Sequence, residues 1–155
     1  MRIGVTGAKG FIGAHLLSTI KDQGTVVTLP RRKGFPGKQE LKRFVTNTDL
    51  IFHFGGVNRD TDEEILRGNI ISTSRLVESI LSYGKSSARL VFASSAQVYS
   101  WTNYIRPIRE TLKANPETVY GVSKQSAENL IKNSGIPFVI LRMSNVYGPG
   151  CRPNY

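Results

Sequence analysis

The sequence predicts an α/β fold built on a doubly wound parallel sheet, and three observations support this. Segments rich in β-branched residues alternate with segments of helical periodicity along the 155 residues. Glycines follow the first strand-like segment and open the first helix, and serines follow the fourth strand-like segment. Alternating helices and apolar strands are typical of parallel sheets that carry helices on both faces.

Five strand-like and four helix-like segments make up this alternation. The strands are predicted at 2–5, 25–29, 50–54, 89–93 and 138–141, and the helices at 11–22, 39–45, 62–83 and 119–133. Gly84 and Gly135 follow the last two helices, where a left-handed exit suits glycine. Only one short helix fits between the second and third strands. At about one domain's length, residues 1–155 are predicted to form a single domain.

Composition excludes several classes of protein. No apolar run is long enough to span a bilayer, and glycines interrupt the apolar residues of the N-terminus, so we expect neither a membrane partner nor a secretory signal. The single cysteine, Cys151, rules out an internal disulfide framework and favours a cytoplasmic location. No second histidine or cysteine lies at ligand spacing from His53, so no metal site is predicted.

A net charge of +10 raises the alternative of a nucleic-acid-binding protein. Basic residues cluster between positions 31 and 43, but no nucleic-acid-binding motif accompanies them. A basic surface suits small anions such as nucleotides equally well. We therefore expect a small anionic ligand and no nucleic-acid partner.

The glycines between the first strand and the first helix predict a dinucleotide site. Gly7 permits a tight turn, Gly10 lets a pyrophosphate approach the main chain, and Gly13 lets the helix pack closely on its strand. The first N–H groups of the helix then point at the anion, and the helix dipole favours its negative charge. The alternative is a glycine-rich turn that binds no ligand. The strand–turn–helix context favours the dinucleotide.

The residues after the second strand bear on which dinucleotide is bound. An acidic residue about 20 positions beyond the glycines accepts the ribose hydroxyls of NAD in folds of this type. Arg31 occupies that place here and Arg32 follows it. A guanidinium binds a ribose 2′-phosphate through charge-assisted hydrogen bonds, so NADP(H) is favoured over NAD(H). The alternative is that both arginines are solvated loop charges.

A tyrosine and a lysine four residues apart open the last predicted helix. Because residues at this spacing share a helix face, the Tyr120 hydroxyl and the Lys124 ammonium converge. A nearby ammonium lowers the pKa of a phenol toward the range of a general acid–base group. Taken alone, the pair is better explained as an exposed pair of no consequence. Hydroxyls also emerge where the fourth strand ends, at Ser94 and Ser95, and can hydrogen-bond a substrate oxygen.

Together, the glycine turn, the strand-end serines and Tyr120-x-x-x-Lys124 resemble the extended short-chain dehydrogenase/reductase family, in its nucleotide-sugar epimerase/dehydratase branch. The resemblance covers residues 7–148 and implies an NAD(P)-binding Rossmann fold. The catalytic residues it implies are Ser95, Tyr120 and Lys124, and the substrate contacts are Ser95, Gln97 and Asn145. The cofactor contacts it implies are Gly7, Gly10, Phe11, Ile12, Gly13, Arg31, Arg32, Phe54, Gly55, Gly56, Asn69, Tyr120 and Lys124. Asn69 is expected to brace the central strands.

Two departures from the family pattern limit what can be carried over. The family has a further strand, with a Gly-Asp pair that contacts adenine, before the segment that matches 53–56; because no such pair occurs here, we expect the sheet to be one strand short. Relatives also continue into a smaller lobe that binds the sugar. We therefore expect a truncated chain in which this C-terminal substrate lobe is absent.

The stretch 31–49, Asn58-Arg59, Arg67-Gly-Asn69 and the ending 151–155 resemble bacterial capsule and O-antigen enzymes, among them NADPH-dependent reductases of UDP-activated 4-keto sugars. The expected function is an NAD(P)-dependent nucleotide-sugar oxidoreductase or epimerase of bacterial surface-polysaccharide biosynthesis. A hydride would move at a sugar carbon, C4 above all, with Tyr120 as acid or base. Arg31 favours a reductase, and the resemblance also allows a homodimer. The alternative is a truncated, non-catalytic NADP(H)-binding or redox-sensing module.

Overall fold

The computed structural model describes residues 1–29, 35–100 and 107–151. The strands within these ranges are β1 (Arg2–Thr6), β2 (Thr25–Thr28), β3 (Leu50–His53), β4 (Arg89–Ser95) and β5 (Phe138–Met143). The helices are α1 (Phe11–Ile20), α2 (Lys38–Val45), α3 (Asp62–Leu66), α4 (Ser72–Tyr83) and α5 (Val119–Lys132). A π-helical turn, Arg67–Ile71, joins α3 to α4, and a 3₁₀ turn, Ala96–Val98, follows β4.

All five strands run parallel in the order β2-β1-β3-β4-β5, which confirms the predicted parallel sheet. The strand order reverses at β1, because β2 lies on one side of it and β3 on the other. In open α/β sheets ligands bind at the carboxyl ends of the strands beside this point of reversal. Between β2 and β3 the described residues form α2 and no strand, as the narrower sheet requires.

Helices cover both faces of the sheet. One face is covered by α2, α4 and α5, and its core includes Phe44, Ile51, Leu76, Phe92 and Ile131. The other face is covered by α1, and its core is formed by Ile3, Val5, Ala8 and Ile20. Because alternate residues of a strand face opposite sides, Gly4 of β1 faces α2, and a Cβ there would lie 2.8 Å from the ring of Phe44.

The structure corrects two features of the helix predicted over 62–83, its end and its continuity. Gly84 ends α4 with φ −76° and is extended, not left-handed. Glycine is needed there because a Cβ would lie 2.6 Å from the carbonyl oxygen of Ile80. Gly135, after α5, has φ +77°, as predicted. The helix predicted over 62–83 is interrupted by the π-helical turn, and Asn69 within that turn is only 2% exposed. None of the helices in the described ranges is long and apolar enough to cross a membrane.

Candidate functional site

A crevice of about 620 Å³ opens at the carboxyl ends of β1 and β3. Its walls include the glycine turn at 6–10, the loop at 53–58 and one side of α4. The two loops touch at Gly7, which has φ +70° and where a Cβ would lie 2.5 Å from the backbone nitrogen of Gly55. Only glycine tolerates both that φ and that approach. The predicted contacts Gly7, Gly10, Phe54, Gly55 and Gly56 all line this crevice.

The N-terminus of α1 lies beside the glycine turn. Gly10 is the N-cap residue, no side chain caps the helix, and Phe11 and Ile12 begin its first turn, which holds no acidic residue. A Cβ at Gly13 would lie 2.2 Å from the carbonyl oxygen of Gly7, so α1 packs on the turn itself more closely than on the strand. Bare backbone facing the positive end of a helix dipole suits a diphosphate. The residues present therefore fit a dinucleotide.

His53 lies beneath the crevice and is 3% exposed. Its Nδ1 is 2.7 Å from Thr6 Oγ1, and its Nε2 is 3.0 Å from Thr73 Oγ1. Thr73 donates its hydroxyl hydrogen to the carbonyl of Asn69, so it accepts from Nε2–H, which leaves Nδ1 to accept from Thr6. Burial lowers the pKa of His53 to about 3, and the charge of Lys124 adds to this effect. His53 is thus a neutral residue that ties β1 to α4.

Asn69 braces the loop after β3 against α5. Its Oδ1 accepts from the backbone nitrogen of Val57 at 2.9 Å, and its Nδ2 donates to the carbonyl of Val57 and to Ser123 Oγ. The expectation that Asn69 braces the central strands is therefore corrected, because its partners lie in a loop and a helix. Both amide hydrogens are engaged inside the protein, so Asn69 influences the crevice by fixing the position of this loop.

The predicted catalytic residues lie where β4 ends and α5 begins. Ser95 Oγ accepts from the backbone nitrogen of Gln97 at 3.2 Å and opens the 3₁₀ turn. Gln97 Oε1 in turn accepts from the hydroxyl of Thr118, the N-cap residue of α5. At Gly121 a Cβ would lie 2.2 Å from the carbonyl oxygen of Gln97, so glycine lets α5 contact the turn. This contact places Tyr120, in the first turn of α5, beside the segment that holds Ser95.

Lys124 is buried behind Tyr120 and is 5% exposed. Its Nζ donates to the carbonyl of Ala93 at 2.9 Å and lies 5.7 Å from the centre of the Tyr120 ring. Burial lowers the pKa of Lys124 to about 8, so the ammonium form still dominates at pH 7. A Cβ at Gly56 would lie 3.2 Å from Nζ. Gly56 also lines the crevice, and it therefore joins the glycine-lined region to the predicted catalytic residues.

One helical turn beyond Lys124, a buried ion-pair network was missed by the sequence reasoning. Glu128 is completely buried and accepts from Ser94 Oγ at 2.6 Å, from Lys132 Nζ at 2.9 Å and from Arg142 Nη2 at 2.7 Å. Burial raises the pKa of Glu128, but the hydrogen bonds from Arg142, Ser94 and Lys132 outweigh it and hold the pKa at about 2. The network fixes α5 on the carboxyl ends of β4 and β5.

The remaining predicted residues are not gathered at this centre. Asn145 is exposed in the segment after β5. That segment folds back on α1, where His15 Nε2 lies 2.9 Å from the carbonyl oxygen of Pro149. Arg31 and Arg32 lie outside the described residues. Across the described ranges, no three His, Cys, Asp or Glu side chains are grouped so as to hold a metal ion.

The profile of the NAD dependent epimerase/dehydratase family matches residues 3–155. The chain belongs to this family. It is 34% identical over 161 residues to the UDP-2-acetamido-2,6-beta-L-arabino-hexul-4-ose reductase of Pseudomonas aeruginosa, with all of this chain aligned to 38% of that relative. The predicted nucleotide-sugar epimerase and reductase family, with its NAD(P)-binding Rossmann fold, is confirmed.

Two solved structures resemble the chain closely. MoeE5 in complex with UDP-glucose and NAD is 30% identical with a TM-score of 0.86, and the match covers 100% of this chain and 58% of that one. RMD from Pseudomonas aeruginosa complexed with NADPH is 26% identical with a TM-score of 0.83, and the match covers 99% and 56%. The chain thus spans less than two thirds of the length of each of these relatives.

Proposed function

We propose that residues 1–155 form the NAD(P)-binding domain of a nucleotide-sugar oxidoreductase that reduces a UDP-linked 4-keto sugar, with NADP(H) favoured over NAD(H). The observation that carries the proposal is the junction at Gly56, where the glycine-lined crevice meets the ammonium of Lys124. A reductase is favoured over an epimerase by Arg31 in the sequence and by the likeness to the reductase of Pseudomonas aeruginosa. We place the reaction in surface-polysaccharide biosynthesis in the cytoplasm.

The backbone at Gly7, Gly10 and Gly13 would hold the diphosphate of the dinucleotide, because side chains are excluded there and the N-terminus of α1 favours an anion. The loop at 53–58, which Asn69 holds at Val57, would support the rest of the dinucleotide. When bound, the reduced nicotinamide supplies a hydride. The protein's own residues must orient the sugar and supply the proton.

Tyr120 is the proton donor of the proposed reaction. The sugar carbonyl carbon accepts the hydride while its oxygen takes the proton from the Tyr120 hydroxyl, so a ketone becomes an alcohol. The buried ammonium of Lys124 stabilises the phenolate that remains, which solvent then reprotonates. Ser95 Oγ accepts from the nitrogen of Gln97, so its hydroxyl hydrogen is available to donate to the sugar oxygen.

The proposal extends to two further contacts with the substrate. Gln97 and Asn145 would contact the nucleotide sugar, with Asn145 reaching it from the segment that folds back on α1.

Leu81 on α4 and Val122 on α5 are large apolar residues that are 59% and 41% exposed. Their exposure supports a homodimer through these two helices, because exposed apolar side chains are better covered by a partner surface than by water.

The proposal is tested by Tyr120→Phe, which removes the proton donor and leaves the crevice unchanged. We expect the variant to bind NADPH within about twofold of the original protein and to lose about 100-fold or more in NADPH oxidation with a UDP-linked 4-keto-6-deoxy-acetamido sugar. Fluorescence titration measures binding, and absorbance measures oxidation. Gly7→Val is the matched control that should abolish binding. Equal oxidation rates for Tyr120→Phe and the original protein would refute the assignment, and binding without turnover in the original protein would favour the non-catalytic alternative.

A further inference from the structure

The end of the crevice beside β2 is lined by residues that the proposed function has not used. These residues are Leu29, Phe35, Leu41, Arg75 and Leu76. Arg75 projects from α4, and its guanidinium carbon lies 4.8 Å from the centre of the Phe35 ring. Arg75 is exposed, and Phe35 is half-buried in the linker before α2. The pair therefore forms one wall of the crevice at a point that solvent can reach.

An aromatic face beneath a guanidinium fixes the position of the charge and leaves the planar N–H edges available to a ligand. Arg67, another arginine of the crevice, lies 3.7 Å from Glu63. Arg75, in contrast, forms no ion pair within the described part of the chain. Its guanidinium thus lacks a carboxylate partner in this part of the chain, and it lines the same open cavity as Glu64.

The position of Arg75 matches the adenosine end of a dinucleotide. In folds of this kind the pyrophosphate lies at the N-terminus of the first helix and the adenosine ribose lies beyond the second strand. Here the crevice is lined by Gly10, at the start of α1, by Leu29, directly after β2, and by Arg75 of α4. Along the described chain only α2 lies between β2 and β3, and Phe35 precedes α2, so the contact of Arg75 with Phe35 brings α4 to the segment that follows β2.

We propose that Arg75, seated on Phe35, binds the ribose 2′-phosphate of NADP(H) and selects it over NAD(H). A guanidinium fork matches two oxygens of a phosphate dianion, whereas NAD(H) offers only a neutral hydroxyl at that position. Selection would thus come from a helix on the far side of the crevice as well as from the loop after β2. This inference rests on the proposed function, because it requires the dinucleotide to lie in the crevice.

Arg75→Gln tests the inference through binding alone. We expect the dissociation constant for NADPH to rise about tenfold or more and that for NADH to change less than about twofold, because only the 2′-phosphate loses its charge-assisted hydrogen bonds. Calorimetry with 2′,5′-ADP and 5′-AMP should show the same contrast. Arg89→Gln is the matched control, since Arg89 is exposed at the amino end of β4 and away from the crevice. Phe35→Leu should also weaken NADPH binding more than NADH binding, because the Arg75 guanidinium would lose the ring that fixes its position.

The outcomes separate this inference from the proposed function. Equal weakening of NADPH and NADH binding, or no change in either, would overturn the role of Arg75 in 2′-phosphate recognition. If Arg31→Gln weakened NADPH binding and Arg75→Gln did not, the 2′-phosphate would be assigned to the loop after β2. That result would also overturn the role of Arg75. If the original protein binds NADH but not NADPH, the inference fails and the dinucleotide site stands. If it binds neither, both fail.

Discussion

Lys124 and Glu128 lie one helical turn apart on α5, and both side chains are buried, yet their surroundings differ. Lys124 has one hydrogen-bonding partner, the carbonyl of Ala93, and burial lowers its pKa to about 8. Glu128 has cationic partners in Arg142 and Lys132, which help to hold its pKa at about 2. Among the described residues Lys124 thus has no carboxylate partner, and its Nζ lies 5.0 Å from the centre of the Phe92 ring. One turn later, Glu128 carries a charge that two cations compensate.

The difference shows which part of α5 serves the fold and which serves the site. Burying an unpaired charge opposes folding, whereas a buried carboxylate with well-placed cationic partners is tolerated. Lys124 lies where β4 meets the crevice, next to Gly56, and an ammonium is retained there at a cost to stability. Such a cost is common at functional sites, where activity requires groups that the fold alone would not select.

The largest expected effect follows from Glu128→Gln, which leaves the Arg142 guanidinium without its carboxylate. We expect the free energy of unfolding to fall by about 3 to 5 kcal/mol, the usual cost of removing one partner of a buried pair. Urea unfolding at pH 7 measures it. Glu128→Gln combined with Arg142→Met should lose less than the sum of the two single variants. A loss below about 1 kcal/mol for Glu128→Gln would show that the network contributes little.

The same network predicts the dependence of stability on acid. The pKa of Glu128 is lowered from 4.5 to about 2 in the folded protein, so its contribution is fully present above pH 4.5 and is lost as the pH falls from 4.5 toward 2. The contribution amounts to about 3 kcal/mol at neutral pH. Urea unfolding between pH 7 and pH 3 should therefore show a steeper decline for the original protein than for Glu128→Gln. Parallel profiles would contradict the lowered pKa.

Lys124→Met examines the opposite case, in which removing a buried charge stabilises the fold. Because the pKa of Lys124 falls from 10.5 to about 8 on folding, the folded state disfavours the ammonium, and this penalty is fully present below pH 8 and disappears as the pH rises to 10.5. After allowance for the lost bond to Ala93, we expect a gain of about 1 to 3 kcal/mol at pH 7, smaller at pH 9.5.

Thermal and urea unfolding without nucleotide measure this gain. Lys132→Met is the matched control, because Lys132 is on the same helix, is 40% exposed and pairs with Glu128. That variant should lose stability slightly. If Lys124→Met is less stable than the original protein at pH 7, then the buried ammonium does not destabilise the fold.

Regular elements were predictable from the sequence because their signals are local. The β-branched run that gives β2 and the glycines around α1 act through neighbouring residues, and both elements lie close to their predicted bounds. The π-helical turn around Asn69 was not predictable, since one turn of π-helix changes helical periodicity too little to stand out. The conformation of Gly84 was predicted wrongly because glycine is required there by the close approach of the Ile80 carbonyl oxygen, and not by a left-handed φ.

The ion-pair network was missed for a different reason. Glu128 and Arg142 belong to separate elements, and their pairing depends on how α5 packs over β4 and β5, which no local pattern encodes. The catalytic roles of Ser95, Tyr120 and Lys124 rest on helix spacing, on the end of β4 and on the family resemblance, and they remain predictions. What the structure adds is the approach of Gly121 to the turn at Gln97, which brings their segments together.

The smallest expected effect separates two adjacent serines at the end of β4. Ser94 is buried and donates to Glu128 at 2.6 Å, whereas Ser95 is half-buried and accepts from the nitrogen of Gln97 at 3.2 Å. Ser94→Ala should therefore lower the free energy of unfolding by about 1 to 2 kcal/mol, because a hydrogen bond to a buried charge is lost. Ser95→Ala should lower it by about 0.5 kcal/mol, since a weak cap of a short turn is lost.

Activity should follow the reverse order, because alternate residues of a strand face opposite sides and only Ser95 belongs to the proposed catalytic set. Urea unfolding and NADPH oxidation measured on the same two variants would give both rankings. If Ser94→Ala lost more activity than Ser95→Ala at equal folded fraction, the ion-pair end of α5 would belong to the reaction centre. The assignment of the Glu128 turn to stability and of the Lys124 turn to activity would then be wrong.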